Sequence, residues 1–232
     1  MRNMHIDRVA AFAVSGALVP SSLEDGPLSR YRPLQRTGAL AHHAAQELAA
    51  EKLQSLWKAL RNYQPSEKGG WRERLGLARR READAPQGLY IFGPVGRGKS
   101  MLMDLFFSTA PIALKRRVHF HAFMLEVQET LHHWRQKKDG KDDVIAALAE
   151  KIAGEATLLC FDEFHVSNIA DAMILGRLFE ALFDRGVVVV ATSNWAPDDL
   201  YQGGLQRDRF LPFIALIKDK LDVLELDAAR DY

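Results

Sequence analysis

The sequence has 232 residues, of which 47% are hydrophobic, and its 31 basic side chains almost balance its 30 acidic ones. This length and apolar content predict one folded domain with a core, alone or with a short appendage, and they exclude a wholly disordered chain. The near-neutral charge gives no general attraction to nucleic acids or anionic membranes. A single cysteine, Cys160, excludes an internal disulfide and fits a reducing, cytoplasmic environment.

The first part of the chain predicts little regular structure. Residues 1–38 are rich in proline and glycine and are predicted to be mostly irregular. The apolar run at residues 9–19 is shorter than the roughly 20 residues that a membrane-spanning helix needs. No cleavage motif of a signal peptide follows this run. We therefore expect no transmembrane segment and no secretion.

One helix and a basic connector are predicted over residues 39–87. Apolar residues recur at helical spacing between residues 39 and 63 and share one face; they are Ala49, Leu53, Leu56, Trp57 and Leu60. The connector at residues 65–87 is rich in arginine, and we interpret it as a solvated link. A nucleic-acid contact at residues 72–81 is the alternative.

Strands and helices alternate over residues 88–232, which we interpret as the main domain. The predicted strands are 88–92, 117–120, 157–161, 187–192 and 221–226. The predicted helices are 99–108, 123–137, 142–153, 169–185 and 205–219. Short, uniformly apolar strands indicate a sheet that is covered on both faces. Their alternation with helices predicts a parallel α/β sheet with right-handed crossovers.

A phosphate-binding loop interrupts the first of these strand–helix units. The segment GPVGRGKS matches the pattern G-x-x-x-x-G-K-[ST], follows an apolar strand and opens a helix. Its glycines let backbone N–H groups turn toward phosphate oxygens, and the helix N-terminus adds its positive dipole end. The lysine would bind the β- and γ-phosphates of ATP, and the serine would ligate Mg²⁺. The residues predicted to contact the nucleotide are Gly93, Pro94, Val95, Gly96, Arg97, Gly98, Lys99, Ser100 and Met101.

A pair of acidic residues follows the third predicted strand in TLLCFDEFH. Ligands of open α/β sheets bind at the carboxyl ends of the strands. Asp162 is predicted to hold Mg²⁺ through its water shell, and Glu163 to activate the attacking water. Because binding alone does not need Glu163, the pair predicts an ATPase.

Two further sites carry polar residues that suit ATP hydrolysis. Asn194 ends the strand in VVVVATSNW, where an amide could hold the attacking water or touch the γ-phosphate, although asparagine is also common in turns. Arg207 and Arg209 lie near the predicted start of a helix, where positive charge opposes the helix dipole. An arginine offered to a neighbour's nucleotide would explain them, with a surface pair as the alternative. Arg207 is the first candidate and Arg209 the second.

The order of these motifs resembles that of the AAA+ ATPases, and the amino-acid sequence is similar to those of the ZapE and Afg1-like family. The resemblance covers residues 28–232 and rests on GLYIFGPVGRGKSMLMDLFF, RVHFHAFM, FDEFHVSNIADAMILGRLF, ATSNWAPDDLYQGGLQRDRFLPFI and the final DY. It implies a five-stranded AAA+ fold that uses ATP and Mg²⁺, with Asn194 as first sensor and Arg207 or Arg209 as arginine finger. The chain departs at His43 and Asn168, where acidic residues are usual, which leaves the local contacts there open.

The resemblance also implies partners and a place in the cell. Bacterial members act in cell division at the FtsZ ring, and mitochondrial members handle inner-membrane proteins. It implies a homo-oligomer when full length, in the cytoplasm or peripheral at the inner membrane. Family members continue into a C-terminal helical lid, which we expect this chain to lack. The leading hypothesis is therefore an ATPase that remodels a protein partner. A helicase-loader-type ATPase associated with nucleic acid and a nucleotide-gated interaction module without turnover remain as alternatives.

Overall fold

Five short strands form the centre of the molecule. The computed structural model describes residues 26–65, 85–137 and 143–226. The strands are β1 (Gly88–Phe92), β2 (Lys115–His119), β3 (Leu158–Asp162), β4 (Val188–Ser193) and β5 (Leu221–Glu225). All neighbouring strands are parallel, in the order β2–β3–β4–β1–β5.

Helices cover both faces of this sheet. They are α1 (Pro27–Arg36), α2 (Ala44–Leu60), α3 (Lys99–Thr109), α4 (Phe120–Lys137), α5 (Val144–Glu155), α6 (Ile169–Phe183) and α7 (Leu211–Lys220). Two short 3₁₀ helices, Pro197–Asp199 and Arg207–Arg209, lie between β4 and α7. The predicted five-stranded parallel α/β sheet with helices on both faces is confirmed.

Alternate residues of each central strand enter two separate cores. Along β3, Leu159 and Phe161 pack among the side chains of α4 to α7. Leu158 and Cys160 pack with α1, α2 and α3 on the other face. Successive side chains of a strand point to opposite faces, so a doubly covered strand must be apolar throughout. Burial raises the pKa of the Cys160 thiol, which fits the prediction of a packed residue.

Residues 26–38 contain more regular structure than the sequence predicted. The prediction of irregular structure is wrong for Pro27–Arg36, which forms α1. Pro27 lies in the first turn of this helix, where its missing N–H is not needed. Tyr31 is fully buried and joins the apolar face of α2 in one cluster. Tertiary packing therefore stabilises α1, although the prolines in its sequence predict irregular structure.

Two predicted boundaries need correction because local geometry competes with apolar pattern. β2 begins at Lys115 and ends at His119, since it pairs with the whole of β3, and Phe120 opens α4. The helix predicted to begin at residue 205 begins at Leu211. Gln206 has a left-handed backbone conformation, so a continuous helix cannot run from residue 205 through Gln206 into α7. The predicted basic connector lies mostly outside the described residues, and so does the possible contact at residues 72–81.

Candidate active site

Strand order brings the predicted motifs together at one edge of the sheet. β4 lies between β1 and β3, with Phe92 opposite Ser193 and Phe161 opposite Ala191. The phosphate-binding loop after β1, Asn194 after β4 and the acidic pair at the end of β3 are therefore neighbours. Backbone hydrogen bonds join the three segments, from Gly93 N to Ser193 O (3.3 Å) and from Phe164 N to Thr192 O (2.7 Å).

The phosphate-binding loop has a backbone that only glycine adopts easily. Gly93, Gly96 and Gly98 have φ angles of 148°, 82° and 84°. A Cβ at Gly93 would lie 2.6 Å from the carbonyl oxygen of Leu226, and one at Gly98 would lie 2.9 Å from Nε2 of Gln46. The loop leads directly into α3, which begins at Lys99. The N-terminus of α3 therefore lies at the loop, as an anion site requires.

Lys99 folds back over the loop. Its ammonium donates hydrogen bonds to the carbonyl oxygens of Gly93 (2.5 Å) and Pro94 (2.8 Å). Burial lowers the pKa of this ammonium. Ser100 is the next residue, lies in the first turn of α3 and is exposed. Both groups that the motif assigns to phosphates and metal thus lie at the loop's end.

Arg97 and Gln46 connect the loop to the N-terminal helices. Gln46 lies on α2, is buried, and donates from Nε2 to the carbonyl oxygen of Arg97 (2.9 Å). Arg97 Nε is buried without a hydrogen-bond partner among the described residues. A buried donor without a partner is costly, so this guanidinium suits an anionic ligand. The cradle, the ammonium and this donor together fit a bound nucleotide phosphate.

Asp162 ends β3 and is already paired with an arginine. Arg117 on β2 donates from Nε to Oδ2 (2.7 Å) and from Nη2 to Oδ1 (3.1 Å). Arg117 also binds Asp104 of α3. Burial alone would lower the pKa of Arg117, but its bonds to the two carboxylates raise it above its ordinary value. Arg117 was not predicted as a site residue. The only signal in the sequence was the presence of an arginine inside a predicted strand.

Glu163 follows in a strained and unpaired state. Its φ angle is 56°, a left-handed conformation that costs a residue with a side chain about 1–3 kcal/mol. Its amide contacts the hydroxyl of Thr192 at 3.4 Å. The exposed carboxylate makes no hydrogen bond or ion pair with any described residue. Such strain is common where a side chain must be held at a reaction site.

Asn194 leaves β4 at the level of Gly93 and is exposed. The turn that carries it is fixed by Ser193, whose hydroxyl donates to the carbonyl oxygen of Phe164 (2.7 Å) and accepts from the amide of Trp195 (3.0 Å). Asn194 thus lies between the phosphate loop and Glu163, as its predicted role requires.

The two candidate finger residues differ in their surroundings. Both lie in the 3₁₀ helix Arg207–Arg209, which precedes α7 and is not part of it. Arg207 donates to the carbonyl oxygen of Asp198 (2.5 Å), and its Nε is buried without a partner among the described residues. The side chain of Arg209 is exposed and makes no hydrogen bond or ion pair with another described residue. The side chain of Arg209 is therefore accessible to another molecule, whereas that of Arg207 is bound within its own chain.

The oxygen donors near the loop fit Mg²⁺ better than a softer metal. Ser100 supplies a hydroxyl and Asp162 a carboxylate, the ligands that Mg²⁺ uses together with phosphates and water. Among the described residues, no group of three or more histidine, cysteine or acidic side chains could hold a metal by itself.

At Asn168, where an acidic residue is usual, the side chain caps α6 by accepting from the amide of Asp171 (2.9 Å).

A family model decides the assignment of the chain. The model described as "AFG1-like ATPase" matches residues 26–232. The chain belongs to the AFG1-like ATPase family. It is 42% identical to the cell division protein ZapE of Escherichia coli K12 over 212 residues, which cover 89% of the chain and 56% of that protein. It is 51% identical over 154 residues to lactation elevated protein 1 homolog B of Danio rerio, covering 63% of the chain and 31% of that protein.

The chain spans about half the length of the curated ZapE relatives that it matches. Among solved structures, it is similar to the DnaC helicase loader, with a TM-score of 0.52 and 13% identity over 85% of the chain and 99% of that structure. It is also similar to domain III of DnaA from Thermotoga maritima, with a TM-score of 0.53 and 18% identity over 81% of the chain and 65% of that structure. These similarities show the fold alone. Within the described ranges, the helices are too short or too polar to cross a bilayer.

Proposed function

We propose that this member of the AFG1-like family binds Mg²⁺–ATP at the edge formed by β1, β4 and β3 and hydrolyses it. The observation that carries the proposal is the meeting of the phosphate loop, Asn194 and the pair Asp162–Glu163 at that edge. Separate sequence motifs that serve one reaction lie side by side. Strand order, which the motifs themselves do not contain, produces this arrangement.

Each residue has a role that follows from its chemistry. The loop amides and Lys99 would bind the phosphates, and Arg97 would supply a further donor. Ser100 and Asp162 would hold Mg²⁺, which neutralises charge on the phosphates when bound. Glu163 would accept a proton from the water that attacks the γ-phosphate.

The arginines suggest that a second copy of the chain completes the site. Arg209 is the better candidate for a finger, since it is exposed and unpaired, whereas Arg207 binds Asp198. An exposed guanidinium can reach the γ-phosphate of a neighbour and stabilise the charge that develops there. The cycle would then depend on assembly, and ATP turnover could drive movement between subunits.

We propose a protein as the partner, by analogy with the relative that is named a cell division protein. Remodelling of a division protein such as FtsZ is the corresponding bacterial role, and membrane-protein clients would be the mitochondrial one. A cytoplasmic site, or a peripheral one at the inner membrane, suits both. The chain's nearly balanced charge supports a protein partner over nucleic acid.

Two lysines provide a matched test of the nucleotide site. Lys99 and Lys115 each donate to two backbone carbonyls, and burial lowers the pKa of both. Only Lys99 lies at the phosphate loop. We expect Lys99→Ala to weaken Mg²⁺–ATP binding by about 10- to 100-fold, because hydrogen bonds to charged groups contribute roughly 1.5–3 kcal/mol.

Calorimetric titration with Mg²⁺–ATP measures this difference directly. Lys115→Ala is the control, and its affinity should remain within a factor of two of the unsubstituted protein. Equal affinities for the Lys99→Ala variant and the unsubstituted protein would show that nucleotide binds elsewhere.

A further inference from the structure

The guanidinium of Arg117 already binds the aspartate that is proposed to hold Mg²⁺. Nε and Nη2 of Arg117 bind the two oxygens of Asp162 at 2.7 and 3.1 Å. The side chains are 22% and 12% exposed, so solvent screens this pair less than a surface pair. A two-point guanidinium–carboxylate contact is also among the stronger polar pairings in proteins. Asp162 is thus neutralised by the protein itself.

Asp104 gives the same guanidinium a second anionic partner. Asp104 lies on α3, the helix that begins at Lys99 of the phosphate loop, and binds the remaining terminal nitrogen of Arg117. The Asp104 side chain is 65% exposed, whereas that of Asp162 is nearly enclosed. Arg117 therefore lies between an enclosed carboxylate at the proposed metal position and an open carboxylate beside it. Weakening one contact leaves the other available.

We propose that Arg117 competes with Mg²⁺ for Asp162 and so sets the Mg²⁺ concentration at which the site is loaded. This inference rests on the proposed function, in which Asp162 holds the metal. The guanidinium competes with the metal and its water shell for the same carboxylate oxygens, and the positive charges of guanidinium and metal repel each other. Asp104 lowers the cost of displacing Arg117, because the guanidinium keeps an ionic partner.

The neighbouring Arg116 shows what a structural arginine in this strand looks like. It binds Glu126 of α4 at 2.5 Å, and its side chain is 30% exposed. Successive strand residues face opposite sides of the sheet, so Arg116 lies on the α4 side and Arg117 on the α3 side. Arg116 joins a strand to a helix and binds neither Asp162 nor Glu163. It is therefore the matched control for Arg117.

The test measures metal binding and does not depend on turnover. Mn²⁺ serves as a spectroscopic substitute for Mg²⁺, and electron paramagnetic resonance reports its binding to the protein saturated with ADP. We expect Arg117→Gln to bind Mn²⁺ about tenfold more tightly, which corresponds to about 1.4 kcal/mol. Arg116→Gln should remain within a factor of two of the unsubstituted protein. Unchanged or weaker Mn²⁺ binding by Arg117→Gln would overturn the proposal.

Two further variants keep the inference testable if Arg117→Gln fails to fold, which circular dichroism would reveal. Arg117→Lys keeps the charge but loses the two-point contact, and should bind Mn²⁺ a few-fold more tightly. Asp104→Asn should bind Mn²⁺ a few-fold more weakly, since Arg117 then has only Asp162. That weakening should disappear when Asp104→Asn is combined with Arg117→Lys. Affinities that do not change in any of these variants contradict the proposal.

Asp162→Asn separates this inference from the function on which it rests. If Asp162→Asn abolishes Mn²⁺ binding and substitution of Arg117 changes nothing, the metal position is correct and the competition is not. If Asp162→Asn leaves Mn²⁺ binding intact, the proposed metal position itself is wrong.

Discussion

The two ends of the central sheet differ in how completely their polar groups are paired. At the amino end, Lys115 donates to two carbonyls, and the indole N–H of Trp57 donates to the carbonyl of Thr109 (2.8 Å). The hydroxyl of Tyr63 binds the carbonyl of Gly186 (2.6 Å). These bonds join β2 and α2 to the end of α3, and the segment after α2 to the turn before β4.

At the carboxyl end, several groups are unpaired or strained. Glu163 has a left-handed backbone and an unpaired carboxylate, and Arg97 Nε is buried without a partner among the described residues. Tyr201 and Gln206, which precede the arginine pair, also have φ angles of 54° and 56°. Buried donors without partners and left-handed non-glycine residues each cost free energy.

The difference suggests which end of the sheet stabilises the fold and which acts on a ligand. A fold can hold such unfavourable groups only where the surrounding structure fixes them. Hydrogen bonds at the amino end and the two apolar cores provide that fixed frame. If the carboxyl end is a reaction site, substitutions there should change binding and turnover more than stability, and those at the amino end should do the reverse.

The largest expected effect comes from the unpaired arginine. We expect Arg209→Ala to lower ATP turnover by about 10³- to 10⁵-fold, as removal of a finger does in related chemistry, while ATP affinity stays nearly unchanged. Arg207→Ala should have a smaller effect, because its guanidinium binds Asp198. Phosphate release and calorimetry measure the two quantities.

Mixing the variants tests whether the finger acts between chains. Arg209→Ala combined with Glu163→Gln should regain activity, because some interfaces then pair an intact arginine with an intact glutamate. A monomeric enzyme shows no such rescue, and its activity per chain does not depend on concentration. If Arg207→Ala is the more damaging change, the paired arginine is the finger, and the contrast between the two residues has the opposite sign.

A somewhat smaller effect is expected at Glu163. Glu163→Gln keeps the shape of the side chain but removes its ability to accept a proton, so turnover should fall by about 10²- to 10⁴-fold with ATP still bound. Glu155→Gln is the control, because Glu155 is also exposed but ends α5 at the amino end of the sheet. Single-turnover assays measure both variants. Turnover of Glu163→Gln within a factor of two of the unsubstituted protein would show that another residue activates the water.

Sequence reasoning was strongest where one residue type serves one purpose. Glycines at fixed spacing before a lysine predicted the phosphate loop, and the left-handed angles of Gly96 and Gly98 explain why glycine is needed. Uniformly apolar strands predicted the doubly covered sheet, since any polar residue inside β3 or β4 would be buried. The resemblance supplied the family, and the match to the family model confirmed it.

Contacts between distant segments could not be predicted in the same way. Arg117 lies 45 residues before Asp162, and no periodicity indicates that β2 pairs with β3 in a register that joins them. Similarly, Gln46 reaches the carbonyl of Arg97 across 51 residues. Helix α1 depends on burial of Tyr31 against α2, which local propensity does not contain. The roles of all the site residues remain predictions, including those of Asn194, Arg207 and Arg209.

The smallest expected effect isolates backbone strain from packing. A Cβ added at Gly96 or at Gly176 would meet no atom within 4 Å, so the two sites are sterically equivalent. Gly96 has a φ of +82° in the phosphate loop, whereas Gly176 lies inside α6. We expect Gly176→Ala to raise the free energy of unfolding by about 0.5–1 kcal/mol, since alanine favours the helix. Gly96→Ala should lower the free energy of unfolding by about 1–2 kcal/mol, because a side chain disfavours the left-handed conformation.

Urea denaturation of both variants measures the difference. Equal changes of the same sign would show that the loop relaxes at no cost, and the argument that its glycines hold a strained cradle would then fail.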